Sequence, residues 1–340
     1  MTQGSRAIPM RSACGGRLVL SELGLGAAPL GNLYRAIDDQ SADATLEAAI
    51  SGGASYIDTA PHYGHGLSER RVGAFLQRTG ARPALSTKLG RTLKPANGAP
   101  DNNGFVDPDP FNPVFEFSEA AINAQFASSL ARLGVDRVDA LFLHDIGRVV
   151  QGDAHEAVLE QALTQSLPAM DALKADGQTG AIGLGVNEVE VCEEVLARRP
   201  LDVCLLAGRY TLLEQARSLG FMNDCAEAGI AIVIGGAFNS GVLVQRDPAR
   251  ARYNYTPAPQ PVLDRAQALA DVCSRYDTPL PAAALQFCLA HPAVVSVAAG
   301  AQSAGQVREI LDFHAHPIPA ELWVEMKSEG LIHPDAPVPA

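Results

Sequence analysis

Three consecutive apolar runs of the chain are each followed by a side chain that could take part in proton chemistry. Asp58 follows the second run, Lys88 the third and His144 the fourth. Tyr63 lies five residues beyond Asp58. A free phenol has a pKa of about 10 and is a weak acid or base at neutral pH. A nearby ammonium group favours the phenolate, so Lys88 is expected to lower the pKa of Tyr63.

A phenol activated in this way could give a proton to a carbonyl oxygen or take one from an alcohol. Asp58 would hold the ammonium group in place, and the imidazole of His144 would donate a hydrogen bond to the same substrate oxygen. The set contains no strong nucleophile and no metal-ligating cluster, so a cofactor that carries hydride would complete the reaction. Taken singly, Asp58 and Lys88 could be a structural ion pair and His144 a structural residue.

The elements that must position these residues alternate along the whole chain between short apolar runs and longer segments of helical periodicity. Continuous apolar runs are typical of parallel strands that are buried on both faces. Eight strand–helix units in about 300 residues predict an α/β fold, the (β/α)8 TIM barrel, with reactive side chains on the rim where the strands end. The predicted strands are residues 23–27, 55–57, 84–87, 138–143, 181–186, 203–206, 230–234 and 294–299.

A doubly wound sheet is the competing architecture. It would usually carry the pattern G-x-G-x-x-G after its first strand, and neither Gly24-Leu25-Gly26 nor Gly183-Leu184-Gly185 continues with the third glycine. Residues 91–117 and 236–261 are rich in Pro, Gly, Asn and Asp and fit neither helix nor strand. Loops of this length are usually functional, so both are expected on the catalytic face, where they would carry substrate specificity.

Composition supports one large globular unit and excludes several classes of protein. The 340 residues are 47% hydrophobic and 19% charged, which predicts a single barrel domain over 1–340 with a flexible lead-in at 1–16. A net charge of −12 argues against nucleic acid as a partner. Apolar stretches are far shorter than the roughly 20 residues of a membrane span. Residues 1–16 lack the apolar region of a signal peptide, which predicts a cytoplasmic protein.

The cysteine and histidine patterns argue against a metal site. Six cysteines are scattered without C-x-x-C spacing, which leaves zinc without support. His314 and His316 are two residues apart and would face different sides of a helix, which disfavours a metal-dependent barrel hydrolase. The sequence leaves monomer and dimer equally open.

At the catalytic residues the sequence resembles the aldo-keto reductases. The resemblance extends from residue 18 to about residue 310 and implies a barrel that binds a nicotinamide dinucleotide without a Rossmann domain. It implies that Tyr63 is the general acid/base, that Asp58 and Lys88 tune it, and that His144 orients the substrate oxygen. The matching motifs are Asp58-Thr59-Ala60, Tyr63-Gly64, Ser68-Glu69, Ser86-Thr87-Lys88 and Leu141-Phe142-Leu143-His144-Asp145.

The resemblance also implies two cofactor-binding segments. Residues 237–243 resemble the loop that grips the pyrophosphate, and residues 300–309 resemble the family's loop and helix N-terminus, which favours anions. Read alone, residues 303–309 would indicate an ordinary capped helix. The implied cofactor contacts are Asn239, Ser240 and Gly241 in the first segment, Ser303 and Gln306 at the adenosine ribose or phosphate, Glu309 at the adenine and Asn187 at the nicotinamide amide. Gly300, which begins the second segment, and Phe238, a candidate to stack on the nicotinamide, complete the predicted set.

The sequence departs from the family at several cofactor positions. The family often has Asn where Ile310 stands and Gln where Ala207 stands, and its nicotinamide-stacking aromatic is replaced by Gly235 or Gly236. Residues 300–306 contain no Arg or Lys, which usually bind the doubly charged 2′-phosphate of NADP. We therefore expect a preference for NAD and an oxidative reaction, with NADP remaining open.

A narrower resemblance involves residues 28–34, 208–213 and 235–241, which are similar to the aldose 1-dehydrogenase branch. Its members oxidise the C1 hydroxyl of L-fucose, L-galactose or D-arabinose to a lactone, and His62 and His65 are candidate sugar contacts. Pyridoxal 4-dehydrogenases are similar and the motifs do not separate them. The remaining alternatives are an NADPH-dependent reductase of aldehydes or ketones and a non-enzymatic, cofactor-binding regulatory subunit.

Overall fold

The computed structural model describes residues 8–245, 247, 251–254 and 256–339. The strands are β1 (Met10–Ala13), β2 (Leu18–Ser21), β3 (Leu23–Gly26), β4 (Tyr56–Asp58), β5 (Ala84–Leu89), β6 (Arg91–Pro95), β7 (Phe111–Phe115), β8 (Val138–His144), β9 (Thr179–Val186), β10 (Val203–Ala207), β11 (Ala231–Gly235), β12 (Arg252–Tyr253), β13 (Thr256–Pro257) and β14 (Val294–Gly300).

Eight parallel strands close into a barrel in the order β10-β11-β14-β3-β4-β5-β8-β9. Each barrel strand corresponds to one of the eight predicted runs, which confirms the (β/α)8 prediction. Three of the predicted strands end too early, because the apolar run stops before a polar side chain that still belongs to the strand. Asp58, Lys88 and His144 lie within β4, β5 and β8 and not after them.

Helices surround the barrel between its strands. They are α1 (Asp39–Ser51), α2 (Leu67–Thr79), α3 (Glu119–Leu133), α4 (Arg148–Gln151), α5 (His155–Gln161), α6 (Leu167–Ala175), α7 (Glu190–Leu196), α8 (Leu219–Ala228), α9 (Gln260–Arg275), α10 (Leu280–Leu289), α11 (Ala304–Ala315) and α12 (Ala320–Ser328). Their apolar faces pack on the outside of the strands and form the main core. Among the described helices, none is long and apolar enough to cross a membrane.

Residues 10–21 contain more regular structure than predicted. β1 and β2 form an antiparallel hairpin, whereas residues 1–16 were expected to be a flexible lead-in. Leu18 and Leu20 of this hairpin are buried against Tyr56 and against small and branched side chains of the barrel interior. The hairpin therefore closes the barrel end opposite the catalytic rim. The prediction for residues 1–7 lies outside the described residues.

The two long loops also contain short strands, contrary to prediction. In the first loop β6 pairs antiparallel with β7, and in the second β12 pairs with β13. Side chains of β character, such as Thr92, Val114 and Phe115, suit the first hairpin, but its Pro, Gly and Asn content concealed it.

Candidate active site

The strand register brings the three charged or titratable strand residues to one rim. Asp58 is the last residue of β4 and pairs with Ser86 of β5, whereas Lys88 of β5 pairs with Phe142 of β8. His144 ends β8 opposite Gly185. The three side chains lie close together because parallel strands of a barrel end at the same edge.

Tyr63 begins a short turn, Tyr63–Gly66, five residues after the end of β4 at Asp58. Gly64 in this turn has φ +63°, and a Cβ there would lie 2.5 Å from the carbonyl oxygen of Gly31. The turn therefore packs backbone against backbone on the segment after β3. Only glycine permits both the left-handed conformation and this close approach.

Lys88 and Asp58 form a buried and fully bonded ion pair beneath the tyrosine. Lys88 Nζ lies 2.6 Å from Asp58 Oδ2 and donates a second bond of 2.9 Å to the carbonyl oxygen of Thr59. Ser86 Oγ donates to Asp58 Oδ1 at 2.7 Å. The two charged side chains are only 1% and 5% exposed. Their geometry is thus fixed by several bonds at once.

Lys88 Nζ lies 4.6 Å from the centroid of the Tyr63 ring, so the predicted neighbourhood of cation and phenol is present. The predicted direction of the pKa shift is wrong, however. Burial raises the pKa of the Tyr63 phenol well above its ordinary value, and the carboxylates of Asp58 and Asp145 raise it further. The charge of Lys88 is already balanced by Asp58, so in the protein without ligands Tyr63 is protonated at neutral pH.

His144 faces Tyr63 edge to face, with the ring centroids 6.3 Å apart. Its Nδ1 atom lies 2.9 Å from Nη1 of Arg91, and Nη2 of Arg91 lies 2.7 Å from Asp145 Oδ2. Burial lowers the pKa of His144 well below its ordinary value, and the charges of Arg91 and Lys88 act in the same direction. The imidazole is therefore neutral at physiological pH.

Sequence reasoning missed Arg91 and Asp145 as members of the site. Arg91 was placed in a specificity loop, and Asp145 was noted only as part of a family motif. The available signal was their position directly beyond two site residues, because Arg91 follows Lys88 by three residues and Asp145 follows His144 by one.

The two candidate sugar contacts lie in different environments. His62 is half-buried, with its ring 6.2 Å from that of His144 and 5.3 Å from that of Phe105. Neither His62 nor His65 lines the cleft that extends from Tyr63, and contact of either one with a sugar stays a prediction. His65 is the more buried of the two. Its turn, with φ +57° at His65, directs the ring under Phe105 and away from solvent.

A cleft of about 900 Å³ extends from Asp58 and Tyr63 to Glu309 and Phe313, which both lie on helix α11. Its walls contain eight of the nine residues predicted to bind the cofactor, namely Asn187, Phe238, Asn239, Ser240, Gly241, Gly300, Gln306 and Glu309. The ninth, Ser303, does not line the cleft. It is the N-cap of α11, where its Oγ accepts a bond of 3.2 Å from the backbone N–H of Gln306.

The walls of the cleft are long and mostly uncharged, which fits an extended ligand. Gly26 and Gly300 lie at its floor, where a Cβ would meet Ala298 at 3.0 Å and Pro29 at 3.3 Å. Asn239 Oδ1 is buried and has no hydrogen-bond partner among the described residues, which leaves it as an acceptor for a ligand. These two glycines therefore allow the protein to pack closely around this part of the cleft.

Sequence reasoning also missed a side-chain contact between two parts of the cleft wall, Arg252 and Tyr34, which we call the strap. The guanidinium of Arg252, on β12, lies 5.0 Å from the ring centroid of Tyr34, in the segment after β3. Among the described residues that line the cleft, Arg252 is the only Lys or Arg. It can therefore offer positive charge to a phosphate-bearing ligand from the loop side.

Comparisons with known proteins agree with this geometry. The family model described as "Aldo/keto reductase family" matches residues 22–329. The D-threo-aldose 1-dehydrogenase of Pseudomonas sp is 42% identical over 332 residues, covering 95% of this chain and 98% of that protein. The pyridoxal 4-dehydrogenase of Microbacterium luteolum is 39% identical over 327 residues, covering 93% and 95%.

A solved structure of the same family gives a similar result. The holo form of aldo-keto reductase AKR11C1 from Bacillus halodurans aligns with a TM-score of 0.72 at 27% identity, over 94% of this chain and 96% of that chain. Such relatives imply a nicotinamide cofactor and a small-molecule substrate. The chain therefore belongs to the aldo/keto reductase family, and it is an oxidoreductase that acts on CH–OH groups.

Proposed function

We propose that this enzyme oxidises the C1 hydroxyl of a cyclic aldose, of the L-fucose, L-galactose or D-arabinose type, to the lactone with NAD⁺. The observation that carries the proposal is the position of Tyr63 at the catalytic end of a long cleft, with Lys88 4.6 Å from its ring. The 42% identity to a D-threo-aldose 1-dehydrogenase supports the choice of substrate.

In this reaction Tyr63 and His144 bind the same substrate oxygen. The ionised form of Tyr63 accepts the proton of the sugar hydroxyl, while the imidazole of His144 donates a hydrogen bond that fixes the oxygen. The bound nicotinamide supplies the acceptor for the hydride that leaves C1. Because burial raises the pKa of Tyr63, we expect the rate of oxidation to increase as the pH rises above neutral. Lys88 and Asp58 hold the phenol in position.

The residues of the cleft would hold the cofactor in an extended form. Gln306 and Glu309 would contact the adenosine, and the turn Asn239–Gly241 would bind the pyrophosphate together with Arg252. Asn187 would contact the nicotinamide amide, and its own amide nitrogen lies 3.4 Å from Asp145 Oδ1. Gly300 lines the floor of the cleft beneath the proposed position of the cofactor.

The charges near the proposed adenosine end support the choice of NAD⁺ over NADP⁺. Gln302 and the carboxylate of Glu309 lie there, and Arg308 is exposed and does not line the cleft. A 2′-phosphate would meet a carboxylate and no cation from α11, which disfavours its binding. A second candidate substrate is the hemiacetal of pyridoxal, which is supported by the 39% identity to a pyridoxal 4-dehydrogenase.

Steady-state kinetics test this proposal. NADH or NADPH formation is measured with L-fucose, L-galactose, D-arabinose and pyridoxal, with NAD⁺ and NADP⁺ in turn, and with a plain aliphatic aldehyde plus NADH or NADPH as the reductive control. We expect the highest kcat/KM with one of the sugars and NAD⁺. Preferential turnover of pyridoxal would favour the second candidate. Preferential reduction of the aliphatic aldehyde with NADPH would overturn both.

A further inference from the structure

Arg91 is buried beside His144 and contacts its Nδ1 atom. Its guanidinium is held on three sides, by His144 Nδ1 at 2.9 Å, by Asp145 Oδ2 at 2.7 Å and by the ring of Phe115, whose centroid lies 4.3 Å away. The side chain is only 9% exposed.

Gly90 allows the chain to place Arg91 there. It has φ +115°, and a Cβ at this position would lie 2.8 Å from the ring of Phe117. The chain therefore turns sharply between Lys88 on β5 and Arg91 on β6. The same turn delivers the ammonium of one residue and the guanidinium of the other to the same rim.

The donor and acceptor roles follow from the chemistry of the guanidinium. Arginine carries only donors, so Nδ1 of His144 must be the acceptor in the 2.9 Å contact. A neutral imidazole that accepts at Nδ1 carries its single proton on Nε2. Asp145 Oδ2 lies 3.5 Å from Nε2, too far for a good hydrogen bond, so this N–H stays available.

We propose that Arg91 is a positioning residue that fixes His144 as the Nε2–H tautomer and so reserves this N–H for the substrate oxygen. The direction of the His144 pKa supports this assignment, because burial and the charges of Arg91 and Lys88 keep the imidazole neutral. In a neutral imidazole the tautomer decides whether Nε2 donates or accepts.

Asp145 makes Arg91 necessary. Its carboxylate accepts from Arg91 and lies 3.4 Å from the amide nitrogen of Asn187, and its backbone has φ +53°. Without the guanidinium, Asp145 would be the charged acceptor nearest to the His144 ring. With no donor facing Nδ1, the single proton would move there, or the carboxylate would stabilise a second proton on the ring. The other titratable groups that face His144 are His62, Tyr63 and Lys88.

Nitrogen NMR of the full-length protein tests the tautomer directly and without substrate. The histidines are labelled with ¹⁵N, long-range ¹H–¹⁵N spectra are recorded across neutral pH, and the His144 signals are assigned by their loss in His144→Gln. We expect an unprotonated Nδ1 and a protonated Nε2. A proton on Nδ1, or on both nitrogens at neutral pH, would overturn the proposal.

Variants add a kinetic test, which rests on the proposed function. Arg91→Met should lower kcat/KM about 10²-fold, as does the loss of one donor to a reacting oxygen, and should move the His144 proton to Nδ1 or add a second one. Arg91→Lys cannot bridge His144 and Asp145, so kcat/KM should still fall. Because lysine keeps the positive charge, this fall should be smaller than that of Arg91→Met. Arg199→Met is the control, because Arg199 pairs with Asp171 near the opposite end of the barrel.

The possible outcomes separate this proposal from the proposed function. Arg199→Met should stay within about twofold of the wild type. Arg91→Met with the same kcat/KM as Arg199→Met, or with the Nε2–H tautomer unchanged, would contradict the positioning role. If Arg91→Met fails to fold, the wild-type spectrum and Arg91→Lys decide. If no sugar is oxidised with NAD⁺, the proposed function fails and the spectra still decide the role of Arg91.

Discussion

The catalytic end and the cofactor end of the same cleft are built in different ways. At the catalytic end Asp58, Lys88 and His144 lie on strands, are at most 9% exposed and have charged or backbone partners. At the cofactor end the walls are glycines, apolar side chains and amides, with a strap from Arg252 to Tyr34. The residues that surround Tyr63 thus lie on strands, which gives precise reactive geometry, while Tyr63 itself lies in the turn after β4. The residues proposed to bind the cofactor lie on loops, on α11 and at the end of β14.

The largest effect is expected from Tyr63→Phe. The substitution removes the hydroxyl and keeps the ring that packs on Lys88, so the fold should be unchanged while proton transfer is lost. We expect kcat to fall about 10²–10⁴-fold, the usual contribution of general acid–base catalysis. The measurement is NAD⁺ reduction with the preferred sugar, with the melting temperature as control. A rate within a few-fold of wild type would remove Tyr63 from the chemistry.

Stability should respond strongly at the catalytic end and weakly at the cofactor end. Lys88→Met leaves the buried carboxylate of Asp58 without its cation, and we expect a loss of about 3–5 kcal/mol in the free energy of unfolding. Glu309→Gln, on the exposed side of α11, should change it by less than about 0.5 kcal/mol. Urea unfolding of both variants makes the comparison. Equal losses would contradict the distinction between the two ends.

The ionisation of Tyr63 offers a spectroscopic test of the catalytic end. Because burial and two carboxylates raise its pKa, Tyr63 should remain protonated as pH rises to its ordinary value of about 10. The difference between the ultraviolet titrations of wild type and Tyr63→Phe isolates this one phenol. Appearance of its tyrosinate near neutral pH, in the protein without ligands, would show that Lys88 dominates after all.

At the cofactor end a single substitution should shift the choice of dinucleotide. Gln302→Arg introduces a guanidinium beside the position proposed for the adenosine, and a charge-assisted hydrogen bond to the 2′-phosphate is worth about 1.5–3 kcal/mol. We therefore expect kcat/KM for NADP⁺ to rise at least about tenfold relative to NAD⁺. An unchanged ratio would mean that the adenosine lies elsewhere.

The smallest effect is expected at the strap. Arg252→Met removes the cation–π contact with Tyr34, which is worth about 0.5–1 kcal/mol at an exposed site. The KM for NAD⁺ should rise a few-fold while kcat changes little, because no reacting atom is touched. A large fall in kcat with an unchanged KM would place Arg252 in the chemistry and weaken the division between the two ends.

The sequence predicted the barrel well because parallel strands that are buried on both faces leave continuous apolar runs. It predicted the β6–β7 hairpin poorly, since a two-stranded ribbon over the rim has no such pattern. The family motifs identified the positions of Asp58, Tyr63, Lys88 and His144, which the strand register then brings together.

The sequence did not predict the distances between the side chains of the site or their hydrogen-bond partners. The sign of the Tyr63 pKa shift depends on burial and on the bond between Lys88 and Asp58, which balances the charge of the lysine. The sequence alone does not show this bond. The contact between Arg91 and His144 joins residues 53 positions apart and depends on the turn at Gly90. For Ser303 the sequence left both a ligand contact and a helix cap open; its hydroxyl caps α11, and its contact with the cofactor stays a prediction.

The central claim is that a hydride leaves C1 of an aldose while Tyr63 takes the hydroxyl proton. Incubation of the enzyme with NAD⁺ and L-fucose deuterated at C1, followed by mass spectrometry of the NADH, tests it most directly, with the C1-deuterated forms of L-galactose and D-arabinose as parallel substrates. We expect one deuterium in the NADH formed by the wild type and a strongly reduced yield with Tyr63→Phe. NADH without deuterium, or no NADH from any of the three sugars, would contradict the account.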